Sequence, residues 1–180
     1  MKLEKMSVKQ PELDLIAEWR NESMLCLRTP DLTAKGWSQE QWVKSFTQAE
    51  KYYFIYDITK AQETFGGRGR QLVGYCGLDK IDPINRTAEM GLLIRPDAQK
   101  GGYGSKAVAE LLRLGFENFN LNCIFIEVIA TTNNCVFWEK QKFVWEGSLR
   151  QRFYKKGKYY PSRVGSILKE EWEKWNDSNS

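Results

Sequence analysis

The chain has 180 residues, 42% of them hydrophobic and seven of them tryptophan, which suits one domain with a sizeable core and leaves too little for two. Its formal charge of +4 and pI near 8.8 describe a mildly basic surface, welcoming to small anions but without the dense basic stripe of a nucleic-acid protein. It contains no histidine, so catalysis by Ser-His-Asp or Cys-His groups and zinc hydrolysis on imidazole ligands are excluded, no metal is expected, and any general base must be a carboxylate, lysine, tyrosine or water.

In chain order, residues 11–21 set Leu13, Ile16, Ala17 and Arg20 at helical spacing after an acidic first turn. A loop over 22–37 leads to a second helix over 38–48, capped by Ser38. The aromatic and β-branched runs 51–58 and 71–81 read as strands of a hairpin with a long glycine-bearing loop, and a third strand, 87–95, follows the turn residues 82–85. After Pro96 a glycine loop leads into a helix over 106–118, with Ala107, Val108, Leu111, Leu112, Gly115 and Phe119 on its apolar stripe. The nearly unbroken apolar run 123–130 reads as a strand covered on both faces, 133–142 as a short amphipathic helix, and 144–154 and 159–168 as strands around the turn KKGK. This order implies a mixed α/β layer structure with helices on both faces of one sheet: a single domain over 1–175, with 176–180 a frayed tail.

Cys26, Cys76, Cys123 and Cys135 are far apart and read as small hydrophobes of a reducing compartment. The opening MKLEKMSVKQ does not resemble a signal peptide, and no run approaches the ~18 apolar residues of a membrane span, so the expected location is the cytoplasm.

The chemistry concentrates in Gln99-Lys100-Gly101-Gly102-Tyr103-Gly104, placed between a strand and a helix. A helix N-terminus leaves four amide N–H groups without partners and carries about half a unit of positive charge, which suits a phosphate. Glycines at 101, 102 and 104 let a pyrophosphate touch the backbone and permit positive φ, and Lys100 adds a cation; alternatively the glycines only make a tight turn. The spacing matches neither the GxxxxGK[ST] nor the GxGxxG phosphate loop.

Gln99, Gly102 and Gly104 match the Q/R-x-x-G-x-G/A loop of the GNAT superfamily of N-acetyltransferases, and the surrounding AEMGLLIRPDAQKGGYGSKAV resembles its strand, loop and helix. NLNCIFIEVIATTNNCVFWEKQKFVWEGSLR is similar to the strand and helix that follow, and both GSLRQRFYKKGKYYPSRVGSILKEEW and the early EWRNES resemble the branch of ribosomal-protein and nucleotide-sugar acetyltransferases. The resemblance covers most of residues 15–172. It implies a mostly antiparallel sheet split into a V, with the pantetheine of acetyl-CoA entering between the strands of Met90–Arg95 and Phe125–Ala130. Leu92, Leu93 and Ile94 would hydrogen-bond the pantetheine through their main chain, and Gln99, Lys100, Gly101, Gly102, Tyr103, Gly104 and Ser105 would hold the pyrophosphate. Asn133 and Asn134 stand near a position where the family places a cofactor-binding asparagine; capping of their own helix is the alternative.

Acetylation of an amine needs a neutral nitrogen, stabilisation of oxyanion charge and protonation of the departing thiolate. Glu89, flanked by Ala88 and Met90, is the candidate base, against an outward-facing strand glutamate; Asp97 reads as a turn cap and Glu127 as half of a structural ion pair. Where many members of the family carry the tyrosine of LYEKxGF, FWEKQKF has Trp138, which cannot release a proton near neutral pH, and Lys142 replaces the customary glycine. Thiolate protonation then passes to water or to Tyr154 or Tyr159. The resemblance implies an acetyl-CoA-dependent N-acetyltransferase acting in a ternary complex on an amino sugar, free or nucleotide-linked, with Arg20 a candidate anion partner and a protein N-terminus the next choice. Two other classes stay open: RNA binding through Gly66–Arg70 and the cluster Arg150, Arg152, Lys155, Lys156 and Lys158, and CoA sensing without turnover. Whether the chain acts as a monomer or homodimer is not written in the sequence.

Overall fold

The computed structural model describes residues 1–5, 15–16, 18–20, 51–57 and 71–178. The expected helix over 38–48, the loop over 22–37 and the Gly66–Arg70 string lie outside the described residues.

Among the described residues seven strands form one sheet: β1 (Lys2–Lys5), β2 (Lys51–Asp57), β3 (Gln71–Asp82), β4 (Thr87–Ile94), β5 (Cys123–Ile129), β6 (Val144–Lys155) and β7 (Lys158–Leu168), in spatial order β1-β2-β3-β4-β5-β7-β6. Every neighbouring pair is antiparallel except β4 and β5. A parallel pair needs a crossover, and α1 (Tyr103–Arg113) provides it, continuing as a π-helical turn over Leu114–Asn118. The helix begins at Tyr103, earlier than the apolar stripe indicated, because Gly102 takes the left-handed conformation that lets the loop turn straight into it. Two further helices follow, α2 (Thr132–Lys140) and α3 (Lys169–Asp177), so Asn176 and Asp177 are helical.

Helices cover both faces, as the element order implied. On one face Ala107, Val108, Leu111 and Leu112 of α1 pack with Val73, Met90, Ile94, Ile124 and Ile126 of the sheet, and Trp172 of α3 closes the end against Phe116 at 5.3 Å between ring centroids. On the other, the helical residues Ile16 and Trp19 pack on Tyr52, Phe54, Tyr56, Leu72, Tyr75 and Leu93. The turn read as KKGK is tighter in the structure: β6 and β7 pair to Lys155 and Lys158, leaving Lys156 and Gly157 in the loop with φ of 47° and 77°, the handedness a two-residue hairpin requires. No helix among the described residues is long and apolar enough to cross a membrane.

Candidate acyl-transfer site

The parallel pairing of β4 and β5 is short. It includes Thr87 with Cys123, Ala88 with Ile124 and Glu89 with Phe125, and then stops, while β5 continues along β7 to the pair of Ile129 and Ser162. The sheet therefore opens between the two strands from Met90 and Ile126 onward, where the resemblance put the V.

Hydrogen-bond parity along β4 shows which backbone groups border that opening. The N–H of Arg95 donates to Val73 on β3 at 2.9 Å, and groups alternate sides along a strand, so Leu93 and Gly91 also point to β3 while Leu92, Met90 and Ile94 point toward β5. Of the three residues expected to offer main-chain bonds, Leu92 and Ile94 are so placed. Leu93 is not: its main chain belongs to the β3 ladder and its side chain to the core beneath the N-terminal helical residues. The Ile94 carbonyl accepts a bond from Gln99 Nε2 at 3.2 Å, so the glutamine ties the loop to the rim of the opening.

Past a single 3₁₀ turn at Pro96–Ala98, the loop reaches α1 by two residues with positive φ, Lys100 at 67° and Gly102 at 78°. Space for a Cβ is open at Gly102, whereas at Gly104 it would meet the Phe137 ring at 3.2 Å and Leu92 at 3.6 Å. The glycines thus differ in role: Gly102 supplies a backbone conformation, and Gly104 lets the N-terminus of α1 approach β4 and α2. Gly101 has ordinary φ and lies against the Tyr103 ring. The first intrahelical bond is Lys106 N–H to the Gly102 carbonyl at 3.1 Å, which leaves the amides of Tyr103, Gly104 and Ser105 directed out of the helix end. These groups fit a pyrophosphate. Two side chains in the stretch are engaged elsewhere: Tyr103 donates to Asp57 at 2.5 Å, a bond that raises its phenol above the ordinary value, and Ser105 Oγ accepts from Gln141 Nε2 at 3.0 Å.

Glu89 stands at the last pair shared by β4 and β5, its side chain only 2% exposed and 2.6 Å from the ammonium of Lys80. It is therefore not an outward-facing strand residue. Burying a carboxylate without such a partner would be costly, and Lys80, 61% exposed, brings its charge in from the surface at a β3 irregularity where its φ is 48°.

Tyr154 is 64% exposed and its ring packs, tilted, against Tyr159 at the tip of β6–β7. Asn134 donates its side-chain amide to the Ile129 carbonyl at 3.2 Å and its N–H to Thr131 Oγ1 at 3.4 Å, a cap that fixes the β5–α2 junction; the side chain of Asn133 lies outside the described residues. Asp97 pairs with Arg95 at 2.7 Å without capping the turn, and Glu127 accepts from Arg152 at 3.0 Å and Ser162 at 2.8 Å, the structural pair expected of it. Arg20 is buried, and its charge opposes the effect of burial that pushes the Tyr75 phenol up to about 12. Trp138 is core, packed on Phe137 and Phe143 at 5.0 Å each, and Lys142 has a left-handed φ of 68°. Cys76, Cys123 and Cys135 are free thiols, and burial raises Cys76 far above the usual range.

Sequence reasoning missed one pair beside Glu89. On β3 Asp79 is the cross-strand partner of Glu89, and the Tyr52 hydroxyl of β2 donates to Asp79 Oδ2. No local pattern marks it, because the residues lie 27 positions apart.

Residues 3–134 match the family model described as the acetyltransferase (GNAT) domain. The spermidine N(1)-acetyltransferase of Vibrio cholerae is 27% identical over 139 residues, spanning 76% of this chain and 80% of that protein. YdaF of Bacillus subtilis, provisionally named a ribosomal N-acetyltransferase, is 30% identical over 103 residues, 57% of this chain and 56% of that one. Among solved structures, the Vibrio cholerae spermidine N-acetyltransferase in complex with CoA and spermine superposes with a TM-score of 0.74 at 23% identity, covering 96% of this chain and 97% of the other.

Proposed function

This chain belongs to the GNAT acetyltransferase family and is an N-acetyltransferase that uses acetyl-CoA, and we propose that its acceptor is the primary amine of a small polycation. The observation that carries the acceptor is the pair of carboxylates, Asp79 and Glu89, side by side where the strands part. Lys80 balances the charge of Glu89, and the remaining carboxylate, Asp79, attracts an ammonium and repels a nucleotide phosphate. The relative with the longest match among those compared is named for spermidine, which agrees with a polyamine.

Acetyl-CoA supplies an activated thioester carbonyl. Leu92 and Ile94 guide the pantetheine by their main chain, and the helix end with Gln99, Lys100, Gly101, Gly102, Tyr103, Gly104 and Ser105 holds the pyrophosphate. Glu89 takes one proton from the acceptor ammonium, directly or through water, before nitrogen attacks the carbonyl carbon. The C–S bond breaks, the nitrogen releases its second proton to water, and water returns a proton to the CoA thiolate. Tyr154, exposed at a hairpin tip, has no part in this scheme.

A nucleotide-linked amino sugar is the second reading, favoured by Arg20, a buried guanidinium whose charge acts on Tyr75, on the same face of the sheet as Glu89, and which could pair with a diphosphate. A free-thiol assay with acetyl-CoA against polyamines, amino sugars, nucleotide-linked amino sugars and peptides separates the two. Turnover with polyamines is expected; turnover confined to sugars or peptides refutes the polyamine reading. Acetyl-CoA should also add about 2.7 kcal/mol of stability at a hundredfold excess over Kd, and an unmoved melting curve would count against cofactor binding altogether.

A further inference from the structure

We propose that Asp79 is the carboxylate that receives the acceptor ammonium, with Tyr52 as the residue that positions it. The inference rests on the reading of a cationic amine as acceptor and adds to it the group that binds the cation.

Asp79 and Glu89 are paired residues on adjacent strands, so their side chains leave the same face of the sheet, at the last position where β4 is shared with β5. The next pair along that face is Gly77 with Gly91. Neither has a side chain, so the sheet is indented beside the two carboxylates, toward the open end of the strands. Tyr52 enters this indentation from β2: a Cβ at Gly91 would stand 2.8 Å from its hydroxyl oxygen. Any larger residue at 91 would displace the tyrosine from Asp79.

The two carboxylates are not equivalent. Glu89 is held by the Lys80 ammonium at 2.6 Å. Asp79 has one oxygen, Oδ2, bound by the Tyr52 hydroxyl, while Oδ1 is closed off from solvent and has no hydrogen-bond partner among the described residues. A buried carboxylate oxygen left without a donor is an uncommon and costly arrangement, and functional sites are where such groups persist. An ammonium N–H is the donor that matches it in charge. Because Tyr52 donates its only proton to Oδ2, it fixes the plane of the carboxylate and so the direction of Oδ1. The division of labour follows: Asp79 binds the acceptor nitrogen, and neighbouring Glu89 takes its proton.

The test uses the full chain, spermidine as the probe amine, and steady-state rates with each substrate varied in turn. Asp79→Asn keeps shape and the bond from Tyr52 but removes the charge. It should raise the KM for spermidine about 10- to 100-fold, the range expected for loss of a charge-assisted hydrogen bond, with the KM for acetyl-CoA within twofold of wild type. Tyr52→Phe should raise the spermidine KM by less, and should add nothing when combined with Asp79→Asn. An unchanged spermidine KM in Asp79→Asn overturns the proposal, and so does a parallel rise of both KM values, which is the mark of a structural role. Should that variant not fold, wild-type protein loaded with CoA supplies the answer: an analogue of spermidine with hydroxyls in place of its primary amines should bind at least tenfold more weakly than spermidine, and equal binding overturns the proposal. If wild type turns over no polyamine at all, the acceptor reading fails and this inference with it.

Discussion

Replacing Gly102 tests the proposed phosphate loop with little steric confusion, since a side chain there would enter open space. The cost of Gly102→Ala is therefore one of backbone conformation. A non-glycine residue at φ 78° loses about 1–2 kcal/mol, and the stiffer unfolded chain returns somewhat under 1, leaving a net loss of about 1 kcal/mol and a fall in Tm of about 2–4 °C for a chain of this size. Gly102→Glu carries the same strain but sets a carboxylate at the N-terminus of α1, where the helix dipole returns about 0.3–1 kcal/mol. Without ligand, then, the Glu variant should be no less stable than the Ala variant. Acetyl-CoA affinity should fall in the opposite order. A carboxylate about 5 Å from a pyrophosphate charge is repelled by roughly 1 kcal/mol in water-like surroundings and about 3 at an effective dielectric of 20, a loss of about 5- to 200-fold. Calorimetric titration with acetyl-CoA, beside melting curves of the free proteins, reads both orders. A folded Gly102→Glu variant with wild-type affinity would refute the reasoning and reduce the loop to a turn.

Glu89→Gln keeps the shape of the proposed base without its basicity, and kcat should fall at least about tenfold on a substrate for which chemistry limits the rate, with acetyl-CoA affinity unchanged; full kcat would leave Glu89 and Lys80 as a structural pair. Lys142→Gly removes a positive φ of 68° from a side chain and should stabilise the fold by up to about 1 kcal/mol, so a lower Tm would show that the lysine makes contacts worth more than its strain. Burial pushes the Tyr75 phenol up to about 12, so the folded state favours the neutral form. Its contribution is intact below the unfolded value near 10 and is lost as pH rises from there toward 12, at up to about 1.4 kcal/mol per pH unit. Tyr75→Phe should flatten that decline in denaturant titrations at pH 9, 10 and 11; identical slopes for the two proteins would contradict the burial argument.

The strand from Thr87, the glycine loop and α1 were legible because each announces itself locally: a β-rich run, a proline stop, glycines, then an apolar stripe at helical spacing. Two elements escaped for the complementary reason. β1 reads KLEK and is a strand only because β2 offers it an edge, while α3 reads KEEWEKWND and buries a single side chain, Trp172, which is no stripe at all. The helix–strand junction at Trp138 shows the limit of resemblance at one position. The residue in the tyrosine's place is core, and its neighbour Phe137 is the one that meets the loop at Gly104.

From the sequence alone came the family, the acetyl donor, a candidate phosphate loop and the absence of any imidazole chemistry, since all of these rest on residue identity or on neighbours within one strand–loop–helix unit. Tertiary structure decided the rest of the site. Which main-chain groups border the opening depends on the register of β4 with β3, and this removed Leu93 while keeping Leu92 and Ile94. The irregularity between Asp79 and Asp82 accompanies the approach of Lys80 to Glu89, and the antiparallel pairing of β2 with β3 brings Tyr52 to Asp79. Contacts of that kind are fixed by strand register across the sheet, a long-range property to which no short stretch of sequence commits.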